Sequence, residues 1–379
     1  MPADHFGFEF RLEVLSPVYA DSPFESGTFW GRIVSALLAG ADDERALGAE
    51  WLAETAKHEG RPSPEWQPPL LVSEGFQCDA TDEPWLPVPY AIARRLQKPV
   101  KVDESQTEAH EPRSAEVVPA PSRKDVKKVT RVPFGVFREM CAGREFTAQE
   151  LVELREREPE IRPSLQPHQT SNRALNTGIE GLLYMLPLHI YSPLPKQEER
   201  LGCRRGSRDH GPQQIVFLLR LRDSSAAKSI ESALRRVCST GWGHAKARGL
   251  GHIRFKSFTE AEITPPATTS ADGFVSLSYF CPAQGDPTDG YWKVEPKHPV
   301  PAQFIDGRRI ALGEGEKWRV KSVLRLTPGS CFRLTQEQAL RECYGRMLSG
   351  LLEPAQDSEG SALPALFHYA LAYPWPLQL

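Results

Sequence analysis

The apolar pattern of the chain predicts an α+β protein built as two halves, each a sheet with helices on one face. Phe8-Glu-Phe-Arg-Leu-Glu-Val-Leu15 alternates apolar and polar residues, the period of a half-buried strand. After a short loop, Thr28 to Leu38 places apolar residues at helical spacing. The same succession returns later in the chain. Gln214 to Leu221 reads as a buried strand, and Ser224 to Cys238 as an amphipathic helix with Ile230, Leu234 and Val237 on one face. Strand, loop and helix in that order open a βαββαβ unit.

Each remaining element follows from local chemistry. The first strand ends at Ser16-Pro17, and Ser26 or Thr28 offers a hydroxyl to cap the helix that follows. Residues 98–125 are rich in Pro, Lys, Glu and Ser and nearly free of large apolar side chains, the composition of a mobile insertion. Thr147 to Arg157 reads as a short, highly charged helix. A second unit starts near 212, giving a first domain at 1–200, with an insertion at about 98–165, and a second at 201–379. Strands are expected at 253–258, 273–280 and 318–326, and the closing segment 367–379 reads as a strand closed by prolines.

Hydrophobic residues at 40% and charged residues at 25% describe a soluble globular protein. No run approaches the roughly 18–20 apolar residues of a membrane span. The opening residues lack the basic and then apolar regions of a signal peptide. The seven cysteines are scattered and never spaced Cys-x-x-Cys, which argues against a disulfide framework and a zinc site. The expectation is a cytoplasmic protein without metal, cofactor or membrane contact. Net charge is −3, but its distribution is uneven. Residues 41–59 hold six acidic and two basic side chains, 121–144 hold seven basic and two acidic, and 235–256 hold six basic and none acidic. Local basic patches on a near-neutral body suggest a bound strand on one face and protein partners elsewhere.

The richest stretch is the loop 239–252. It carries Gly241, Gly243, Gly249 and Gly251 with the cations Lys246 and Arg248 and the histidines His244 and His252. Glycine permits positive φ and close approach of another backbone, and cations without acids suit a polyanion. The loop runs from helix into strand, opposite to nucleotide-binding glycine loops, so phosphate contact is expected and nucleotide hydrolysis is not. Backbone N–H groups together with Lys246 and Arg248 are the expected grip. A second candidate is 168–184, where Asn172, Arg173, Asn176 and Thr177 either contact sugar, phosphate or base edges or tie down a turn. A third is Lys127, Lys128 and Arg131 beside Phe134 and Phe137. These combine charge with stacking as single-strand binders do, unless the aromatics belong to the core. The loop histidines read first as hydrogen-bonding or stacking groups. Acid–base cleavage of RNA is the alternative.

Five stretches carry a resemblance. They are Asp21 to Leu38, with Thr-Phe-Trp-Gly at the helix start; Pro84 to Lys98; Lys127 to Phe137; Asn172-Arg-Ala-Leu-Asn-Thr-Gly to Glu180-Gly-Leu-Leu-Tyr184; and the loop with Arg248-Gly-Leu-Gly251. In this order they resemble the RAMP superfamily of CRISPR proteins, and within it the Csm-type subunit that caps the guide-RNA 5′ end in type III effector complexes. Tyr369-Ala-Leu-Ala-Tyr-Pro-Trp-Pro376 also fits that family's ending. The chain departs from the pattern by added length at 98–125 and 259–317, and by Glu25-Ser-Gly27 where a serine-aspartate is usual. The resemblance implies two ferredoxin-like (RRM-like) domains, with the glycine-rich loop late in the second. It implies a non-catalytic subunit that binds the 5′ tag of the crRNA and docks the large polymerase-like signature subunit and the backbone RAMP subunit. The alternative is a metal-independent endoribonuclease that processes CRISPR repeat RNA.

Overall fold

The computed structural model describes residues 6–20, 24–59, 66–97, 121–172, 177–192, 212–243, 246, 249–261, 271–297, 304–305, 308–309, 322–335, 340–349 and 367–379. For 162–187 and for 304–309 the account is confined to backbone. The architecture is α+β.

The alternating segment near the N-terminus forms β1 (Phe6–Val14), the centre of the main sheet. It pairs antiparallel with β8 (Gln213–Leu221) on one side and β9 (Ile253–Glu260) on the other. β2 (Leu70–Val72) and β3 (Phe76–Gln77) pair with the far edge of β8. Strand order is β2-β8-β1-β9. Helix α1 (Ser26–Leu38) follows β1, and helix α7 (Ala227–Ser239) joins β8 to β9. β1-α1-β2-β8-α7-β9 is thus one βαββαβ circuit, with residues 73–212 set between its second and third strands.

Burial explains why these segments adopt their forms. Phe8, Phe10, Leu12 and Val14 point one way from β1 into the core. Phe29, Ile33 and Leu37 of α1 and Ile230, Leu234 and Val237 of α7 cover them. Phe29 stacks on Phe217 with ring centroids 3.9 Å apart. Each such fully buried side chain contributes about 1.5–3 kcal/mol.

The sheet corrects the domain boundary expected near residue 200. β1 hydrogen-bonds to β8 and β9, so that boundary separates strands of one sheet. The glycine-rich loop is correspondingly the α7–β9 connection of this circuit. A strand's alternation records that one face is buried; it does not name the partner strand.

The chain between β3 and β8 builds a separate layer. β4 (Trp85–Pro87) pairs with β5 (Arg131–Pro133). Around them lie α3 (Tyr90–Leu96), α4 (Arg123–Lys127), α5 (Phe134–Cys141) and α6 (Ala148–Arg155). The expected charged helix is α6, started by a capping box in which Thr147 and Glu150 satisfy each other's backbone N–H. Of the segment expected to be mobile, 98–120 lies outside the described residues. A long hairpin, β6 (Glu160–Asn172) and β7 (Thr177–Ser192), ends this layer. It is tied to the chain after β1 by the Val18–His189 bridge.

A second sheet has the order β11 (Gly290–Tyr291), β16 (Cys331–Arg333), β10 (Gly273–Ser276), β19 (Pro374–Leu377). Short pairs complete the region: β12 (Val294–Lys297) with β15 (Val323–Leu326), β13 (Phe304–Ile305) with β14 (Arg308–Arg309), and β17 (Tyr344–Gly345) with β18 (Leu371–Ala372). Among the described residues no helix lies between its strands. Three expectations change here. The last strand runs through Pro374 and Pro376, as an edge strand can, since a missing N–H on its outer side costs nothing. The strand expected at 273–280 stops at Ser276, whose hydroxyl donates to the Ser278 carbonyl. That expected at 318–326 is described only as Val323–Leu326.

The cap of α1 also differs. Ser26 is the first helical residue and Glu25 occupies the cap position without a side-chain cap. The orphan N–H of Ser26 and its hydroxyl both donate to Glu74 Oε1, at 3.0 and 2.6 Å. Glu25 instead pairs with Arg325 and, at 3.0 Å, with Lys297 of the second sheet region.

Candidate nucleic-acid interface

The loop between α7 and β9 is built around one indole. Trp242 is buried among Phe24, Phe29 and Phe217, and its backbone N–H donates to the Gly251 carbonyl at 2.7 Å. The two ends of the loop are therefore clamped together. Gly251 has φ +67° and lies so close to Trp242 that an added Cβ would sit 1.7 Å from its carbonyl oxygen. At Gly243, φ +76°, an added Cβ would lie only 2.4 Å from the Tyr19 carbonyl oxygen. No other residue type fits these two positions.

The same clamp occupies part of the backbone expected to grip an anion. Gly241 N–H donates to Cys238, Trp242 to Gly251, Gly249 to Lys246, Gly251 to Pro17, and His252 to the Ser16 hydroxyl. These five backbone donors are spent inside the protein.

Two cations stand there without an acid. Arg32, projecting from α1, donates to the Gly241 carbonyl, and its guanidinium lies 4.7 Å over the Trp242 ring. Among the described residues no carboxylate pairs with it, and burial lowers its pKa to about 10. Lys246 is exposed, with its stem lying against Gly241. Its pKa is lowered first by burial and then by the charge of Arg32. A cleft of about 470 Å³ opens beside them, lined by Leu15, Thr240, Gly241, Lys246, His252 and Ile253. The charge of Arg32 disfavours that of Lys246, and an arriving anion relieves this.

Arg32 was absent from the sequence-derived candidates. The available signal was a single charge inside the apolar run Phe29-Trp-Gly-Arg-Ile-Val34. A cation in a core-facing helix needs a reason, and here the reason is the loop opposite it.

The structure brings together Gly241, Gly243, Lys246, Gly249, Gly251 and His252, with His252 exposed at the rim. His244 and Arg248 lie outside the described residues, as do Arg173 and Asn176. Asn172 ends β6 opposite Thr177. Lys127 and Lys128 are exposed around the end of α4, on the inserted layer and away from the loop cleft. Lys128 lies 3.0 Å from Asp125, whose pKa is lowered first by the Ser122 hydroxyl and then by Lys128. Arg131 is committed within the protein, to Glu158 at 2.7 Å, Gln77 at 3.0 Å and the Pro159 carbonyl at 2.9 Å. Phe137 is fully buried against Trp375, so that ring belongs to the core. Two acids of the 41–59 helix, α2 (Asp42–Lys57), also face inward: Glu44 pairs with Arg236 and Glu54 with Arg222.

No metal-binding cluster of His, Cys, Asp or Glu occurs among the described residues, and none of their helices is long and apolar enough to cross a membrane. No protein-family model and no curated protein matches the sequence. Solved structures do match. A chain of the crystal structure of a Csm1–Csm4 cassette in complex with cA4 aligns over 98% of both chains, with 14% identity and a TM-score of 0.50. A chain of the same cassette in complex with cA3 aligns over 98% of both at 14% identity, TM-score 0.48. A chain of the type III-B Cmr-beta complex bound to cognate target RNA and AMPPnP covers 86% of both at 10% identity, TM-score 0.38. At these identities the first likeness is one of fold over nearly the whole chain. It agrees with the resemblance drawn from the ordered sequence segments.

Proposed function

We propose that this chain is a non-catalytic subunit of a type III CRISPR effector complex, in which the loop 239–252 holds the 5′ tag of the guide RNA. It docks the large polymerase-like signature subunit and the backbone RAMP subunit, and the second sheet belongs to a second ferredoxin-like unit. The observation that carries the RNA reading is Lys246 lining an open cleft with Arg32 bonded to Gly241 behind it, two cations that no carboxylate pairs among the described residues. The fold shared with a chain of the Csm1–Csm4 cassette supports the setting.

In this reading Lys246 supplies a mobile charge at the rim and Arg32 a fixed one behind it. Trp242 and the two tight glycines hold the ends of the loop together, which lowers the cost of ordering it on binding. His252, exposed on the same cleft, offers a hydrogen bond or a stacking face. Filter binding of tag-bearing RNA across a salt series tests the assignment. Lys246→Ala is expected to weaken binding and to reduce the log–log salt slope by about 0.7, the value of one phosphate contact on a single strand. Unchanged affinity and slope would overturn the loop assignment. Incubation with repeat RNA without metal is expected to leave it intact. A discrete product lost in His252→Ala would establish the endoribonuclease instead.

A further inference from the structure

Lys127 and Lys128 belong to a wider basic surface that the loop cleft does not use. Helix α3 carries Arg94 and Arg95 in its last turn, and α4 carries Arg123, Lys124 and Lys127, with Lys128 at its C-cap. All six side chains are exposed. α3 packs against both α4 and β11, so this charge borders the second sheet region. Among the described residues only Lys128 of the six is ion-paired, with Asp125 at 3.0 Å.

Two open rings stand beside these cations. Tyr291 ends β11 at 37% exposure, and Trp292 follows it at 49%. No other Phe, Tyr or Trp is exposed among the described side chains. The Arg94 guanidinium lies 5.1 Å from the centre of the Tyr291 ring. In return, the Lys293 ammonium lies 4.4 Å from the centre of the Tyr90 ring, one turn before Arg94 on α3. The Tyr90 hydroxyl is also 2.8 Å from that of Thr327. These contacts fix α3 against the strands that present the rings. The one acid on β11 and β12, Glu295, is engaged by Arg325 and by the Tyr279 hydroxyl.

We infer that this surface is a second binding site for single-stranded RNA, in which Tyr291 and Trp292 stack on bases while Arg94, Lys124 and Lys127 meet phosphates. Charge favours RNA over a protein partner here. The core of a protein interface is depleted in lysine, and each unpaired cation buried there would need an acid opposite it. A nucleic-acid strand brings a negative charge with every nucleotide. Its unstacked bases offer faces to open rings, and that stacking tolerates any sequence. The site shares no residue with the loop cleft and does not depend on the loop assignment. The basic run around 121–128 thus finds its stacking partners at 291–292, since Phe137 is committed to the core.

The test titrates the full chain against a labelled oligouridine and an RNA duplex of the same length, by fluorescence anisotropy across a salt series. Oligouridine is expected to bind more tightly, because the bases of a duplex are stacked out of reach. Trp292→Ala should weaken oligouridine binding about tenfold and leave the salt slope alone, since it removes a ring and no charge. Lys124→Gln together with Lys127→Gln should reduce the slope by about 1.4, two single-strand phosphate contacts at about 0.7 each. All three side chains are exposed, so thermal melting should match the parent. Trp292→Ala should cost the same factor when added to Lys246→Ala, because the two sites are separate. Unchanged oligouridine affinity in Trp292→Ala, or an equal loss for oligouridine and duplex, overturns the single-strand surface and leaves the loop assignment standing. So does a Trp292→Ala protein that keeps its RNA but loses a co-purifying subunit, which would make the surface a protein interface.

Discussion

Arg325 and Arg32 both lie over aromatic rings, and their surroundings are opposite. Arg325 sits over Tyr279 at 1% exposure, paired with Glu25, and reaches Glu295 at 3.2 Å. Arg32 sits over Trp242 with a carbonyl as its hydrogen-bond partner and Lys246 as its charged neighbour. The first arginine is compensated in the fold and joins α1 to the second sheet region. The second has no acid paired with it among the described residues, and it bonds to Gly241 on the wall of an open cleft. A buried cation with acids around it is structure; a cation held without one is an invitation to an anion.

The largest expected effect breaks the compensated side. Arg325→Ala removes the more deeply buried of the two cations paired with Glu25 and should lower stability by about 3–5 kcal/mol in urea unfolding. The salt slope of RNA binding should not change in whatever folded fraction remains. Next, Gly251→Ala forces a Cβ onto the Trp242 carbonyl and should cost about 2–4 kcal/mol while also loosening the loop, read as lost RNA affinity. Arg32→Met separates the two arginines most clearly. Stability should stay within about 0.5–1 kcal/mol of the parent, since no ion pair is broken, while RNA affinity falls about tenfold. A large loss of stability in Arg32→Met would make it a structural residue like Arg325.

The smallest effect concerns pH at the seam near Arg325. Burial, and then the charge of Glu25, raise the Glu74 pKa to about 7 in the fold, against an ordinary value of 4.5. Between these values the folded state holds a proton that the unfolded state has lost, so this group favours folding below about 4.5, and that contribution is lost as pH rises through 7. Glu74→Gln keeps an acceptor for Ser26 and removes the charge. It should raise Tm by about 2–4 °C at pH 8 and by less at pH 5. His368 opposes this trend, because burial lowers its pKa to about 4 and folding is weakened as pH falls from 6.5 toward that value. A Tm difference that does not depend on pH would place the titration elsewhere.

Much of the fold could be read from local pattern, and the candidate site only in part. β1, α1, β8 and α7 follow from apolar spacing, because one buried face imposes its period on the sequence. The four glycines of the loop do take positive φ. Of the N–H groups expected to grip phosphate, those of Gly251 and His252 instead meet residues 16–17, which lie far away in sequence. The aromatics at 134–137 looked like a stacking platform by composition. Phe137 is core because α5 packs on β19, which comes from the other end of the chain.

Periodicity and glycine placement thus settled which segments are strands, which are helices and where the backbone must turn, since those choices depend on a residue and its close neighbours. Which strands share a sheet, that Glu74 caps α1, and that Arg32 stands beside Lys246 were decided only when the two ends of the chain came together. Pairing and compensation are properties of space. Residues more than 200 apart in sequence supply each other's charge environment, and no local window of the chain contains both.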